Sequence, residues 1–496
     1  MHTHEKKWIA LLAAILLLSG CQAGPPANST EYSKNSEAES LQETSTYTMA
    51  TVPTSEESGA SEVSSATGKF PGTQGKTLAG TTKKSSVSVV TRANSTETMM
   101  DELAKAPRWK QTKFYLSTFN ATAQNQMDDV YRRCLTANKE AGINLIENAI
   151  MSTQDLETCM DICEELGLDF LAQDLSRFSG IGGRYPTNNA DTFNNVVEKY
   201  ARYKHMVGYF LWDEPDEANF KKYTAKQNMF HKLDPGSLCY GLLLPSYGAY
   251  VWDPKNMEDS AYKRYVDNFV ANCDPDVLSV DYYPLQKGTE SLMENNLWRD
   301  IGYFRYKALE AHKPLWFYFQ ASKFQKELTD AQIQVQMYSA LAYGTVGLSY
   351  YSTSGILTDM KGNKTARFEG LKQINARVLH LGKLLFKMKP QAIYHTGLSA
   401  ELVKAYSLNT MGDAACPFKT APDGLIISTF ISGKDTYLVV VNKDYTRAVS
   451  GTLTLTHSRT VGQYDKATDK TSSLSGGTER INLSIPAGDC VVYCLG

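Results

Sequence analysis

Apolar runs of seven or eight residues alternate with longer, polar-faced stretches of helical pattern, eight times between residues 113 and 388. Such apolar runs are typical of parallel strands buried on both faces, and parallel neighbours need helical crossovers between them. The pattern therefore predicts an α/β fold, a (β/α)8 TIM barrel. The predicted strands are 113–119, 143–150, 168–175, 206–213, 238–245, 277–283, 314–320 and 345–351. The predicted helices are 124–141, 154–167, 191–205, 217–233, 260–272, 289–312, 329–343 and 366–388.

The helical pattern stops near Pro390, and short alternating segments follow it. Alternation with a period of two is typical of antiparallel strands with one buried face. The barrel is therefore predicted to occupy residues 97–389, and a small all-β antiparallel sandwich domain residues 390–496. Its predicted strands are 402–407, 425–431, 436–442, 450–456 and 489–495, with turns at 432–434 and 476–477. A structural role, covering apolar surface of the barrel, is favoured over sugar binding.

The amino-terminal segment has the pattern of a signal peptide, residues 1–21. Lys6 and Lys7 precede an apolar stretch too short to span a membrane, and the stretch ends in Leu-Ser-Gly-Cys at Cys21. That ending resembles a bacterial lipobox, which implies lipidation of Cys21 and an extracytoplasmic protein anchored to the cell membrane. An ordinary signal peptide with a chance cysteine is the alternative. Residues 22–96 are rich in Ser, Thr, Glu and Gly, a composition that predicts a disordered tether.

The net charge of the chain indicates which kinds of partner it can attract. A formal net charge of −2 gives no long-range attraction to nucleic acid, whereas a neutral, polar partner such as a carbohydrate fits. The pattern points to no cofactor and to no protein partner. No paired-cysteine motif or histidine cluster is present, so a metal site is not expected, and the cysteines after Cys21 are interpreted as buried thiols.

The fourth predicted strand ends in a carboxylate pair. Asp213 and Glu214 follow an apolar run and precede Pro215, which cannot continue the strand. Barrel enzymes hold their chemistry at this end of the strands. Other strands deliver further acids, amides and aromatic residues to the same mouth, a mixture that suits a polyhydroxylated ligand. The residues singled out for substrate binding are Asn120, Glu147, Asp174, Trp212, Tyr283, Gln320 and Tyr350.

Three segments resemble clan A glycoside hydrolases, particularly β-galactosidase-like members with a carboxyl-terminal β domain. They are GYFLWDEP at the fourth strand, VLSVDYYPL at the sixth, and QIQVQMYSALAYGTVGLSYYS before and within the eighth. The resemblance covers roughly residues 100–496. It implies that Glu214 is the general acid/base, and that Asp213 replaces the usual asparagine that contacts a sugar hydroxyl. Asp213 could instead orient Glu214 or raise its pKa.

The seventh strand departs from the family pattern. Where the family has a nucleophilic glutamate, this chain has Gln320, which cannot act as a carboxylate nucleophile. Hydrolysis still needs a second catalytic group. Asp281 is the first choice, as the base of an inverting pair, and Glu147 and Asp174 are the second choices. A carboxylate closer to Glu214 would instead allow retention through a displaced nucleophile.

Two functions remain open at this stage. The favoured one is a glycosidase acting on extracellular oligo- or polysaccharide, with Glu214 as acid and Asp281 and Asp213 beside it. The alternative is a catalytically inactive carbohydrate-binding barrel at the cell surface, which kept the acid of the fourth strand and lost the nucleophile. An importer's solute-binding protein is disfavoured, because such proteins have two lobes built on open sheets.

Overall fold

The computed structural model describes residues 108–147, 153–173, 190–248, 259–285, 296–321 and 327–496. The predicted signal peptide and tether, Cys21 and Asp174 lie outside these residues. Within them, no helix combines the length and the apolar character needed to cross a membrane.

Eight parallel strands form the barrel predicted from the sequence. They are β1 (Tyr115–Asn120), β2 (Leu145–Ile146), β3 (Asp169–Ala172), β4 (Met206–Asp213), β5 (Leu238–Leu242), β6 (Leu278–Tyr282), β7 (Leu315–Phe319) and β8 (Gly347–Ser352). The hydrogen-bonded order runs from β5 down to β1, then through β8 and β7 to β6. A parallel bridge between Leu243 and Val280 closes the remaining gap. All eight predicted strands are thus present, most of them shortened at their ends.

Helices connect the strands on the outside of the barrel. They are α1 (Asp128–Glu140), α2 (Thr153–Leu166), α3 (Ala190–Tyr200), α4 (Phe220–Leu233), α5 (Asp259–Cys273), α6 (Trp298–Glu310), α7 (Asp330–Ala342) and α8 (Phe368–Phe386). The start of α7 is fixed by a capping box, in which Thr329 Oγ1 accepts from Gln332 N at 3.2 Å and Gln332 Oε1 accepts from Thr329 N at 2.9 Å. Such a box satisfies two backbone donors that the helix itself leaves unpaired.

Aromatic side chains fill the inside of the barrel. Phe119 lies 5.7 Å from Phe210 between ring centroids, and Tyr240 lies 5.2 Å from Trp316. Tyr318 completes this group, and the five side chains are at most 5% exposed. The barrel is therefore a packed core rather than a pore, which leaves the strand ends as the place for a site.

The carboxyl-terminal domain is a seven-stranded antiparallel sheet. Its strands are β9 (Lys389–His395), β10 (Phe418–Thr420), β11 (Leu425–Ser432), β12 (Asp435–Asn442), β13 (Val449–Asp465), β14 (Lys470–Ile485) and β15 (Cys490–Leu495). Successive residues of these strands point to opposite faces of the sheet and pack in two different hydrophobic cores. Leu425 and Ile427 pack in the domain's own core, whereas Ile426, Phe430 and Val439 belong to the core shared with the barrel. Helix α7 contacts β11 and β12, so the predicted fold class, a TIM barrel followed by a β domain, is confirmed.

Two details predicted for this domain are wrong. Residues 402–407 do not form a strand, because Ala400–Ala405 is a short helix, α9, whose cap Ser399 accepts from Leu402 N at 3.3 Å. Residues 476–477 are not a chain reversal, because they lie inside β14. The reversal falls instead between Asp465 and Lys470, and β13 pairs with β14 through several register shifts that accommodate the two glycines. The turn predicted at 432–434 is confirmed, and Gly433 adopts a positive φ of 59° there.

Candidate active site

The end of β4 is held by contacts on both sides. A register shift in the β4–β5 ladder lies between Phe210 and Trp212, just before the acids. Glu214 N donates to Leu242 O of β5 at 2.9 Å, and Tyr265 Oη of α5 donates to Pro215 O at 2.8 Å. Irregular ladder positions of this kind redirect side chains at barrel rims. These contacts fix the backbone from which both carboxylates project.

Glu214 has a left-handed backbone conformation, with φ at 51°. A residue with a Cβ atom and a long side chain is uncommon there, and such a conformation costs about 1–3 kcal/mol. Strain of this size persists where the surrounding structure enforces it, and it clusters at functional sites. The backbone at Glu214 is therefore set by the turn around Pro215 rather than by the preference of glutamate itself.

Asp281 brings a second carboxyl group to Glu214. It lies in β6, is 3% exposed, and its N donates to Leu243 O at 3.3 Å. The carboxyl group of Asp281 lies close enough to Glu214 for their charges to interact directly, and Tyr283 is a neighbour of the same carboxyl group. Because two neighbouring carboxylates repel each other, such a pair favours a state in which one of the two acids holds a proton. One oxygen of Asp281, Oδ1, is buried and accepts no hydrogen bond from the described residues.

Burial and mutual repulsion keep these acids from ionising at their ordinary pH. Burial raises the pKa of Glu214 well above its usual range, and the neighbouring Asp281 raises it further. Burial and the charge of Asp213 raise the pKa of Asp281 to about 7. The pKa of Asp213 is also raised well above its usual range, by burial first and then by Glu214 and Glu147. At neutral pH the group therefore holds at least one proton, and the shifts favour its place on Glu214.

Tyrosines form one wall of the site. The ring of Tyr351 stacks on Phe119 at 6.2 Å and meets Tyr283 edge-on at 5.3 Å. Tyr247 Oη accepts from Tyr283 N at 3.0 Å. Burial, together with the nearby acids Asp281 and Glu214, raises the pKa of both Tyr247 and Tyr283. Flat, amphipathic rings beside carboxyl groups suit a ligand that presents both hydroxyl groups and an apolar face.

Glu147 lies inside the barrel with no exposed surface. It accepts hydrogen bonds from Tyr318 Oη and from Ser349 Oγ at 3.1 Å, and the Ser117 hydroxyl, which donates to Leu348 O at 3.4 Å, lies beside it. Tyr240 Oη in turn donates to Tyr318 Oη. Burial raises the pKa of Glu147 to about 7, although the three hydroxyl groups oppose the shift. Glu147 does not face the open end of the barrel. Its effect there is electrostatic, because its carboxylate charge raises the pKa of Asp213.

Gln320 stands at the end of β7 and is fully buried. Its Oε1 accepts from Leu285 N at 2.7 Å, and its backbone exchanges two hydrogen bonds of 3.0 Å with the side chain of Gln336. Its Nε2 has no acceptor among the described residues. The amide oxygen thus positions the segment after β6, and the amide NH2 group is left without an acceptor among the described residues.

The other predicted binding residues are spread more widely. Asn120 is 8% exposed at the end of β1, where its backbone oxygen accepts from Thr353 N at 2.9 Å. Trp212 is 2% exposed and lies under Lys226 of α4, whose Nζ is 4.6 Å from the ring centroid. Tyr350 is fully buried and donates to Asn375 Oδ1 of α8 at 2.6 Å. Trp212 and Tyr350 therefore pack against the outer helices and do not join the group around Glu214.

Three tyrosines of the site are not among the residues that the sequence analysis singled out for substrate binding, although Tyr247 and Tyr351 follow from it as aromatic residues at the ends of their strands. Tyr351 is adjacent to Tyr350 in β8, and successive residues of a strand point to opposite faces, so only one of the two could face inward. Tyr318 lies two residues before Gln320 and faces inward with it by the same rule. Tyr247 follows β5 in a loop, and no periodic pattern in the sequence marks it.

One group of described residues has the composition of a metal site. His231, Cys239 and Asp276 place one ligand atom each within 4.8 Å of one another. Their atoms already have partners, however, since Asp276 Oδ2 is 3.0 Å from His231 Nε2 and accepts from Cys239 N at 2.8 Å. Arg108 occupies the other oxygen of Asp276 at 2.7 Å. Asp276 is therefore the centre of a buried network of hydrogen bonds and an ion pair.

Solved structures share this architecture. The chain is similar to a β-galactosidase from Bacillus circulans sp. alkalophilus, with 10% identity and a TM-score of 0.50 over 77% of this chain and 99% of that one. A glycoside hydrolase family 5 structure from Bacteroides vulgatus ATCC 8482 matches with 13% identity and a TM-score of 0.49, over 79% and 94% of the two chains. At this identity the match with the β-galactosidase bears on the fold alone, and it agrees with the barrel and β domain described above. No family model and no curated protein sequence matches the chain.

Proposed function

We propose that this protein is a glycoside hydrolase acting on extracellular oligo- or polysaccharide, with Glu214 as the general acid. The observation that carries the proposal is the Glu214–Asp281 pair at the mouth of the barrel, in which Glu214 is kept protonated by burial and by a second acid. A general acid must hold its proton near the operating pH and release it to the leaving oxygen. Such pairs of unequal carboxyl groups are typical of glycosidases.

The proposed reaction uses both members of the pair. Glu214 transfers its proton to the glycosidic oxygen as the bond to the anomeric carbon breaks. A water oxygen then bonds to that carbon and gives its proton to ionised Asp281. This inverting arrangement needs carboxyl groups roughly 6.5–9.5 Å apart, and a retaining one about 5–5.5 Å. Since the two acids are close neighbours, the sugar would bind between them and separate them, and the longer side chain of Glu214 is the one expected to move.

A second candidate is the inactive carbohydrate-binding barrel. The observation in its favour is Gln320, a neutral and tightly bonded residue at the position where a nucleophile is expected from the family resemblance. In that case, the tyrosine wall of Tyr283 and Tyr351 would bind a sugar, and the acids would only accept its hydroxyl groups. Retention of a strained, protonated Glu214 has no evident use in capture alone, so the hydrolase is the preferred proposal.

The test is the Glu214→Gln variant, with Glu217→Gln as a matched control three residues away. Reducing-sugar release from a panel of plant, host and bacterial glycans should fall about 10²- to 10⁴-fold in the first variant and stay near wild type in the second. Calorimetric binding of the substrate should survive in both. If the wild type binds a glycan of the panel without releasing sugar from any, the binding barrel replaces the hydrolase.

The proposal also places the protein outside the cytoplasm, anchored to the bacterial membrane by a lipid on Cys21. Support comes from the lipobox-like ending of the apolar amino-terminal stretch. Membrane fractionation of cells expressing wild type and Cys21→Ala checks this. Wild type should sediment with membranes and the variant should not, and equal sedimentation would argue against the anchor.

A further inference from the structure

A cavity of about 520 Å³ lies at the amino-terminal ends of the strands, opposite the acids. Its walls come from the segments that precede β1, β6, β7 and β8, together with helix α6 and the β domain, which contributes Pro390 and Phe430. Cavities of roughly 300–1,000 Å³ are the size that binds small molecules. This end of a TIM barrel ordinarily serves stability, so an open cavity here needs its own explanation.

The charged residues of the cavity are mostly basic. Four cationic side chains face two carboxylates, which leaves a net charge of +2 when His312 is neutral; they are Arg108, Lys110, Arg305 and Lys313, against Asp274 and Asp276. The carboxylates are engaged already. Arg108 binds both of them, at 3.0 and 2.7 Å, and Lys313 Nζ lies 2.5 Å from Asp274. The excess positive charge therefore belongs to the remaining cations.

Arg305 of α6 is the unusual member of this set. It is 8% exposed, yet no carboxylate of the described residues pairs with it. Its Nη2 donates to Gln391 O at 3.0 Å, and its Nε is buried without an acceptor. A buried guanidinium is normally paired, because an uncompensated buried charge costs several kcal/mol. Burial lowers the pKa of Arg305 only to about 10, so the side chain stays charged at neutral pH.

Most of the remaining lining is apolar, although Gln111, Tyr343 and Thr345 are polar. Trp109, Leu315, Leu385, Met388 and Phe430 surround the cavity beside Arg305. A planar guanidinium binds a carboxylate through two parallel hydrogen bonds, which no neutral group can reproduce. A largely apolar surface beside a buried guanidinium that lacks a carboxylate therefore matches a ligand with an apolar body and a single carboxylate.

We propose that this cavity is a second binding site, which takes a small organic acid with an aromatic or aliphatic body and pairs its carboxylate with Arg305. The acid would supply the anion that Arg305 lacks and would also join the barrel to the β domain, since the side chain of Arg305 already bridges α6 and β9. Binding here does not depend on catalysis at Glu214. The two sites lie at opposite ends of the same strands.

The proposal is tested on the full chain with 2-naphthoate as the probe and its neutral analogue 2-naphthamide as the chemical control. Calorimetry should show that naphthoate binds wild type at least tenfold more tightly than naphthamide, and thermal unfolding should shift upward with naphthoate concentration. Arg305→Met should weaken naphthoate binding at least tenfold and leave naphthamide binding unchanged. The control variant Arg447→Met removes an equal charge from a side chain that is 84% exposed, and it should bind like wild type.

Three outcomes would overturn the proposal: no binding of naphthoate by wild type, equal binding of acid and amide, or undiminished binding by Arg305→Met. The comparison of acid with amide on wild type needs no variant, so the test holds even if Arg305→Met folds poorly. Activity on glycans plays no part in these measurements. Failure here would therefore leave the hydrolase proposal untouched, and the reverse is also true.

Discussion

Asp276 and Asp281 are five residues apart and both buried, but the pKa of the first is lowered and that of the second is raised. Asp276 precedes β6 and is 6% exposed, and Asp281 lies within β6 and is 3% exposed. Burial alone would raise the pKa of Asp276, but His231 and Arg108 bind it and hold its pKa below its usual value. Among the described residues, no lysine or arginine pairs with Asp281, and its pKa rises to about 7. Partners, not depth, decide whether a buried acid stabilises the fold or remains available for proton transfer.

The largest effect is expected from Asp281→Asn. If Asp281 accepts the proton of the attacking water, hydrolysis should fall by about 10²–10⁴-fold. Because its pKa is about 7, wild-type activity should rise as pH increases through 7 and fall again when Glu214 ionises at higher pH. The variant should lose the rise near 7. Rates on a glycan substrate between pH 5 and 9 measure this, and an unchanged profile would remove Asp281 from the reaction.

Removal of Asp276 should act on stability instead. Asp276→Ala leaves Arg108 and His231 without their buried partner, and we expect a loss of about 3–5 kcal/mol in the free energy of unfolding. Asp274→Ala is the matched control, since that side chain is 64% exposed and its pairs should contribute less than about 1 kcal/mol. Urea unfolding at pH 7 compares the two.

The sign of the pH dependence sharpens this prediction. The lowered pKa of Asp276 means that its contribution is present above its unfolded pKa near 3.8 and disappears as pH falls through the folded value. The difference in the free energy of unfolding between wild type and Asp276→Ala should therefore become smaller at acidic pH. Similar losses for Asp274→Ala and Asp276→Ala would contradict the contrast drawn between exposed and buried pairs.

The contribution of Glu147 to stability should depend on pH in the opposite direction. Its pKa is raised from 4.5 to about 7, so the folded state holds a proton that the unfolded state releases, and stability falls as pH rises between these values. We expect a loss of about 2–3 kcal/mol between pH 5 and 8, which Glu147→Gln should largely abolish. Thermal unfolding at both pH values checks it. A variant that loses as much stability as wild type over this range would show that Glu147 is not the source.

The strands of the barrel could be predicted from the sequence because each strand is buried on both faces. Its residues therefore form a continuous apolar run that is easily recognised as a strand. Glu214 was identifiable for a related reason, since the apolar run of β4 ends at a proline. Its contact with Asp281 was not, because the separation of two side chains depends on strand tilt and on the shift in the β4–β5 ladder. Trp212 and Tyr350 illustrate the same limit, as a shift of one residue decides whether a ring faces inward or outward.

The β domain was harder to predict because its strands are irregular. The long strands β13 and β14 continue through glycines, and residues that resemble a turn are absorbed by register shifts. The missed helix α9 is too short for periodicity to reveal, although a serine cap followed by alanine, glutamate and leucine is a recognisable start. A helix of six residues with a single capping serine is a weak pattern, and a β sandwich is expected to contain only strands.

The sheet face formed by Ile426, Phe430 and Val439 bears on how this chain can be divided. Because those side chains belong to the same core as the barrel helices, a cut after residue 389 would expose apolar surface on both halves. The two domains are therefore expected to unfold in a single transition and to be inherited together. Any exchange of the β domain between related chains would have to preserve this apolar face, independently of what the mouth of the barrel binds.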